Sequence, residues 1–214
     1  MVHGWALVAN RGRCLEKPIF PRSVVTVTRL DEVLAFNQQF VENQEYEQYR
    51  TSKFPNKKLV VLSCMDTRLS DLLPRAMNLK NGDAKFIKNA GAVVSHPFGS
   101  IMRSIVVAVY DLGADEIWVI GHHGCGMSSI DPEETIKKMT KRGISRNTID
   151  TLENAGVNFN AWLQRIESIP DSVRESVRMI RNHPLMPKSL RVHGLVIDPE
   201  TGKLDVVVNG YNPE

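Results

Sequence analysis

Leu59-Val60-Val61-Leu62-Ser63, running on into Cys64-Met65-Asp66-Thr67-Arg68, is the stretch on which the fold turns. Its first half is an unbroken apolar run. That is the pattern of a strand buried on both faces in a parallel sheet, not the alternation of a half-solvated one. Working outward, Ala84-Lys85-Phe86-Ile87-Lys88 reads as a second short strand and residues 116–120 as a third. Between them Pro97 precedes apolar residues at helical spacing, Ile101, Ile105, Ala108, Val109 and Leu112, and Gly113 stands where that helix should end. Upstream, Thr28 and Asp31 can cap a helix running to about Tyr49, with Val33, Phe36 and Phe40 on one face. Downstream, helical patterns over 148–168 and 171–182 are separated by Pro170. Arg191–Ile197 and Leu204–Val208 then flank Asp198-Pro199-Glu200-Thr201-Gly202, which reads as a hairpin turn. The repeated β-α-β order predicts an α/β fold: a mostly parallel central sheet flanked by helices, with an antiparallel C-terminal edge strand.

The 214 residues are 42% hydrophobic and 24% charged with a net charge of +3, the balance of an ordinary globular domain. A chain of this size buries roughly 70% of its unfolded surface, so it needs no disulfide staples. No apolar run reaches the roughly 20 residues of a membrane-spanning helix, which predicts no membrane partner. Lys and Arg are scattered and not interleaved with aromatics, which predicts no nucleic-acid partner. An odd cysteine count, three, suits reduced thiols in a cytoplasmic protein better than a secreted disulfide framework. Residues 1–30 form a basic leader, with Arg11, Arg13, Lys17, Arg22 and Arg29 against the single acid Glu16, and are expected to be flexible. The leader's apolar residues 5–9 are too few for a signal-peptide core, and its Cys14 lies far from any motif. Residues 31–214 are expected to form one domain with an N-terminal helical arm.

Soft ligands gather where the strands end. The first strand runs into Cys64, and the third runs into Gly121-His122-His123-Gly124-Cys125-Gly126. Open α/β sheets build their sites just beyond the carboxyl ends of strands. Donor atoms on one zinc ion lie roughly 4 Å apart, and neighbouring strands lie about 4.8 Å apart. If the first and third strands are adjacent, Cys64, His122 and Cys125 can meet on one ion, leaving the fourth position open as catalytic zinc sites do. His123 is the rival to His122, and its spacing to Cys125 is the less favourable. Each cysteine alone would read as a small buried hydrophobe. Asp66 and Arg68 follow Cys64 at intervals of two, so in an extended segment all three project to one side. An arginine suits a bidentate grip that holds an aspartate oriented and ionised.

Cys64-Met65-Asp66-Thr67-Arg68-Leu69, then Lys88-Asn89-Ala90-Gly91, then residues 121–126 together resemble the β-class carbonic anhydrases, densely over 59–127 and more loosely beyond. The stretch from Gly82 to Gly91 resembles the compact branch of that family and not the plant-type branch. The resemblance implies one zinc ion per chain on Cys64, His122 and Cys125, with Asp66 and Arg68 as a catalytic dyad. It implies the reversible hydration of carbon dioxide to bicarbonate and a proton. It also implies a homodimer or higher oligomer whose N-terminal helices cross onto the partner. Backbone amides near Gly91 and Gly126 are candidates to steady bicarbonate oxygens. Lys85 is a candidate to attract bicarbonate or move protons, against its plainer reading as an exposed strand lysine. The basic leader and His96-Pro97-Phe98 depart from the family pattern. Two other functions fit the same motifs: hydrolysis of carbon disulfide or carbonyl sulfide on this scaffold, and a non-catalytic zinc- or bicarbonate-binding regulator. An intact Asp66–Arg68 pair argues against the regulator.

Overall fold

A computed structural model describes residues 27–212, so Cys14 and the basic residues Arg11, Arg13, Lys17 and Arg22 lie outside the described residues. The chain divides into two compact units, one ending at Gln48 and one beginning at Tyr49.

The first unit holds helix α1, Arg29–Glu42. Thr28 and Asp31 close a reciprocal capping box at its start: the Thr28 side chain accepts from the Asp31 N–H, and the Asp31 carboxylate accepts from the Thr28 N–H at 2.9 Å. The expected helix to Tyr49 is shorter than predicted. It stops at Glu42, where Gln44 turns left-handed at φ 55, and residues 45–49 continue as a separate 3₁₀ turn. Leu30, Val33, Leu34 and Phe36 on α1 are exposed.

The second unit is a five-stranded sheet of β1 (Leu59–Cys64), β2 (Ala84–Asn89), β3 (Glu116–His122), β4 (Arg191–Ile197) and β5 (Leu204–Val208), in the order β2-β1-β3-β4-β5. All pairs are parallel except β4 with β5, so the predicted class and antiparallel edge are both observed. β1 is buried at every position because strands flank it and helices cover both faces. On one face α3 (Ser100–Tyr110) and α7 (Ile169–Arg181) pack Met102, Ile105, Val173, Val177 and Ile180 onto Val60, Leu62 and Val119. On the other, α2 (Leu69–Ala76) packs Leu69 and Leu73 onto Leu59, Val61 and Ile120.

α7 rests directly on strand backbone. A Cβ added at Gly121 would lie 2.8 Å from Ile169 Cγ2 and 2.9 Å from Val173 Cγ2, and one at Gly194 would lie 2.7 Å from Val173 Cγ1. Hydrogen in place of a methyl at these two positions lets the helix approach β3 and β4 closely. α2 and α4 (Pro132–Lys141) were not foreseen, although Asp131 caps α4 with Pro132 next to it, a recognisable start signal. The single helix expected over 148–168 is two, α5 (Arg146–Asn154) and α6 (Phe159–Trp162), broken at Gly156 with φ 97. Among the described residues no helix is long and apolar enough to cross a membrane.

Candidate metal centre

The chain winds from β1 outward to β2 on one side and to β3 on the other, so the carboxyl ends of β1 and β3 flank the point where strand order reverses. Ser63 pairs with Ile120, which sets Cys64 one residue past the last pair and His122 two past it. After His122 the chain turns back through Gly124, at φ 63, and Cys125 returns to the same spot. The ligand atoms of Cys64, His122 and Cys125 all lie within 4.8 Å of one another, and all three residues are buried. His123 lies outside this group and is exposed; its N–H extends the sheet to the Ile197 carbonyl.

The two sulfurs are 3.9 Å apart and unbonded. Burial, reinforced by the neighbouring Cys64, pushes the Cys125 thiol up, although the Met127 N–H favours its thiolate. Two thiolates in this pocket therefore require positive charge beside them. The imidazole is oriented as a ligand. A carbonyl can only accept, so at 2.9 Å from the His123 oxygen His122 Nδ1 is the protonated nitrogen. In the neutral ring Nε2 then carries the lone pair; it is buried and without a hydrogen-bond partner, in a ring whose ligand atom lies within 4.8 Å of the sulfurs. A cluster of two thiols and one such imidazole is able to hold a metal ion.

Asp66 and Arg68 do meet, by a different route from the extended segment that alternation suggests. Beyond Cys64 the chain turns into α2, and Arg68 takes helical φ −62 and ψ −26. The Arg68 N–H folds back onto Asp66 Oδ1 at 3.0 Å, the self-closing turn that aspartate favours. The guanidinium completes a fork, with Nε to Oδ1 at 3.0 Å and Nη2 to Oδ2 at 2.9 Å. Nη2 also donates to the Gly124 carbonyl at 3.2 Å, tying the dyad to the turn that carries Cys125, and Nη1 lies 3.8 Å from Glu200 in the β4–β5 hairpin. The Arg68 hydrogen bonds outweigh burial and hold the Asp66 carboxyl at about 2, so it is ionised at neutral pH. Its Oδ2 is 3.7 Å from His122 Nε2.

A sequence model of the carbonic anhydrase family matches residues 59–204, the span that builds the sheet and this cluster. The chain belongs to the β-class carbonic anhydrase family. It is 59% identical over 183 residues to the Bacillus subtilis protein named "Putative carbonic anhydrase YtiB", covering 86% of this chain and 98% of that one. The crystal structure of β-carbonic anhydrase isoform I from Trichomonas vaginalis superposes with a TM-score of 0.79 at 33% identity, covering 86% of this chain and all of that one. A carbon disulfide hydrolase of Acidithiobacillus thiooxidans is 30% identical over 159 residues, 70% of this chain and 76% of that protein.

Two sequence candidates lie apart from the roles expected in this carbonic anhydrase. Lys85 pairs with Val60, four residues down the strands from the Cys64–Asn89 pair, or about 13 Å. Its ammonium donates to the Lys53 carbonyl, so the structure does not bring it to the thiols. Gly91 is at the cluster, but its N–H is directed at Cys64 Sγ, 3.3 Å away, where it meets sulfur and not a substrate oxygen. Sequence reasoning missed the Gly124 carbonyl and Glu200 as Arg68 contacts, and no local signal marks either.

Proposed function

We propose that this chain hydrates carbon dioxide reversibly to bicarbonate and a proton, with one zinc ion per chain held by Cys64 Sγ, His122 Nε2 and Cys125 Sγ. The observation that carries this reading is the buried, unpartnered Nε2 lone pair set against two unbonded thiols. Sulfur and imidazole donors suit zinc, and three protein ligands leave a position for water. A zinc ion there supplies a Lewis acid that brings the pKa of a bound water toward neutrality, an effect the two thiolates moderate.

The remaining chemistry belongs to the chain. Asp66 is ionised at working pH and accepts hydrogen bonds only, so its free lone pairs can take the hydrogen of a nucleophilic water and aim that oxygen at the carbon. Arg68 occupies both carboxylate oxygens and so restrains Asp66 from becoming a ligand itself. The Gly124 carbonyl fixes the guanidinium in turn.

Zinc content per chain measured beside stopped-flow carbon dioxide hydration tests the reading. Cys64→Ser, His122→Ala and Cys125→Ser should each lose most of the metal and activity, whereas His123→Ala and Cys14→Ser should keep both. Full zinc occupancy in Cys64→Ser refutes the ligand assignment. The carbon disulfide hydrolase relative supports a second reading, sulfur-analogue hydrolysis at the same site, and the same assay offering carbon disulfide and carbonyl sulfide separates the two. We read the enzyme as cytoplasmic, on its reduced thiols, and as a homodimer or higher oligomer. The exposed Leu30, Val33, Leu34 and Phe36 on α1 support a partner copy there. Sedimentation of the chain without residues 1–56 should reveal weakened association or misfolding; a stable, active monomer contradicts the assembly.

A further inference from the structure

Immediately beyond β2 the chain makes a turn whose backbone is held with unusual care. The Asn89 side chain clamps the Val93 peptide from both sides, its Nδ2 donating to the Val93 carbonyl at 2.6 Å and its Oδ1 accepting the Val93 N–H at 3.1 Å. Within the clamp Gly91 and Ala92 are both left-handed, at φ 84 and φ 58. A buried alanine adopts that conformation only where its surroundings impose it. The imposed turn delivers the Gly91 N–H to the Cys64 sulfur at 3.3 Å.

Ile166 presses on the same turn from outside. A Cβ on Gly91 would lie 2.5 Å from Ile166 Cδ1, so the isoleucine fills the space that glycine leaves. The Ile166 N–H also bonds the Met127 carbonyl at 3.0 Å, and the Met127 N–H is the amide that favours the Cys125 thiolate. One buried isoleucine thus braces the segments that present a main-chain donor to each sulfur.

We propose that Asn89 and Ile166 are positioning residues of the metal centre, acting through the Gly91 N–H to withdraw charge from the Cys64 thiolate. This rests on the reading that Cys64, His122 and Cys125 hold the metal. Two thiolates neutralise a divalent cation, and an N–H bond to one of them returns part of the Lewis acidity the reaction needs. Partners behind metal ligands commonly carry about 10–100-fold in metal affinity.

The test uses the cobalt-loaded full chain and reads the sulfur-to-metal charge-transfer band together with metal affinity by chelator competition. Asn89→Ala and the milder Ile166→Val should each move the band to lower energy, because the sulfur becomes more electron-rich, and Asn89→Ala should weaken binding by about 10-fold or more. Ile149→Val, at another buried isoleucine, should leave the band in place. In the wild-type protein loaded with the NMR-active isotope of cadmium, the Gly91 amide proton should couple to the metal through the hydrogen bond. That measurement decides the matter even if a variant fails to fold. A wild-type band in folded Asn89→Ala, or a Gly91 proton with no coupling, overturns the proposal. A wild-type chain that takes no cobalt, or a Cys64→Ser variant with undiminished charge-transfer intensity, overturns the metal assignment instead.

Discussion

Removing the Arg68 side chain should convert Asp66 from an orienting group into a competing ligand. In the folded chain the guanidinium makes two hydrogen bonds to the carboxylate, at 3.0 and 2.9 Å, and only the backbone N–H on Oδ1 survives Arg68→Ala. The freed Oδ2 starts 3.7 Å from His122 Nε2. Donor atoms sharing one zinc ion are separated by roughly 4 Å, so the carboxylate needs only a small rotation to join them. Arg68 and its companions hold the Asp66 carboxyl at about 2 against 3.8 for a free aspartate. The two charge-assisted hydrogen bonds that are lost, discounted because solvent reaches Arg68 on one side, carry roughly 1–2 kcal/mol of that restraint. Up to roughly 30-fold of the preference for the held-away carboxylate should therefore disappear, and hydration should fall by a comparable factor. Asp66→Asn should retain zinc and fold but lose about 10²–10⁴-fold in activity, the range for a positioned proton-handling or orienting group. Visible spectroscopy of the cobalt-substituted proteins separates the two causes. Arg68→Ala should show an added oxygen donor, and the Arg68→Ala, Asp66→Asn double variant should not. Hydration by Asp66→Asn at the wild-type rate, or identical spectra for the single and double variants, refutes the reasoning.

Gly121→Ala places a methyl under 3 Å from Ile169 and Val173; urea denaturation should show a loss of about 1–3 kcal/mol, the usual cost of overpacking. Lys85→Ala should leave zinc content and hydration unchanged, since its ammonium is engaged at the Lys53 carbonyl; a large loss of activity would restore it to the site. His193 gives the pH dependence: burial holds it below the ordinary histidine value of 6.5, with Arg191 acting in the same direction and Glu116, 3.2 Å from Nε2, against it. Trp118 and Tyr211 complete its surroundings, and its Nδ1 accepts the Gly210 N–H at 3.1 Å, which uses the neutral ring. Below about 6.5 the unfolded chain binds the proton that the folded chain refuses, so this contribution is full above that pH and is lost as pH falls. Thermal unfolding at about pH 7.5 and about pH 5.5 should show a larger drop for wild type than for His193→Gln, and equal drops would remove His193 as the cause.

The sequence by itself determined the class of fold and the chemistry of its site. An unbroken apolar run at 59–63, two further short strands and a hairpin at 198–202 are local signals, because burial on both faces and tight turns constrain residue type position by position. Cysteine and histidine at the ends of the first and third strands were legible for the same reason, and so was the capping box at Thr28 and Asp31. Helix α2 escaped notice because its eight residues carry Pro74 and too short a period, and Gly156 divided a pattern that periodicity alone joined. Tertiary structure decided everything that depends on two distant segments meeting. Placing β3 beside β1, with β2 outside, brings Cys125 to Cys64 across 61 positions of sequence. The reversal at Gly124 returns Cys125 to His122 and leaves His123 in solvent. The turn into α2, and not an extended strand, closes Arg68 on Asp66. Register along β2 carries Lys85 away, and the left-handed turn beyond that strand brings the Gly91 N–H to a thiol. Residue types are fixed by local burial and turn chemistry, but separations of a few ångströms between side chains are fixed by strand order and register, which only the assembled sheet supplies.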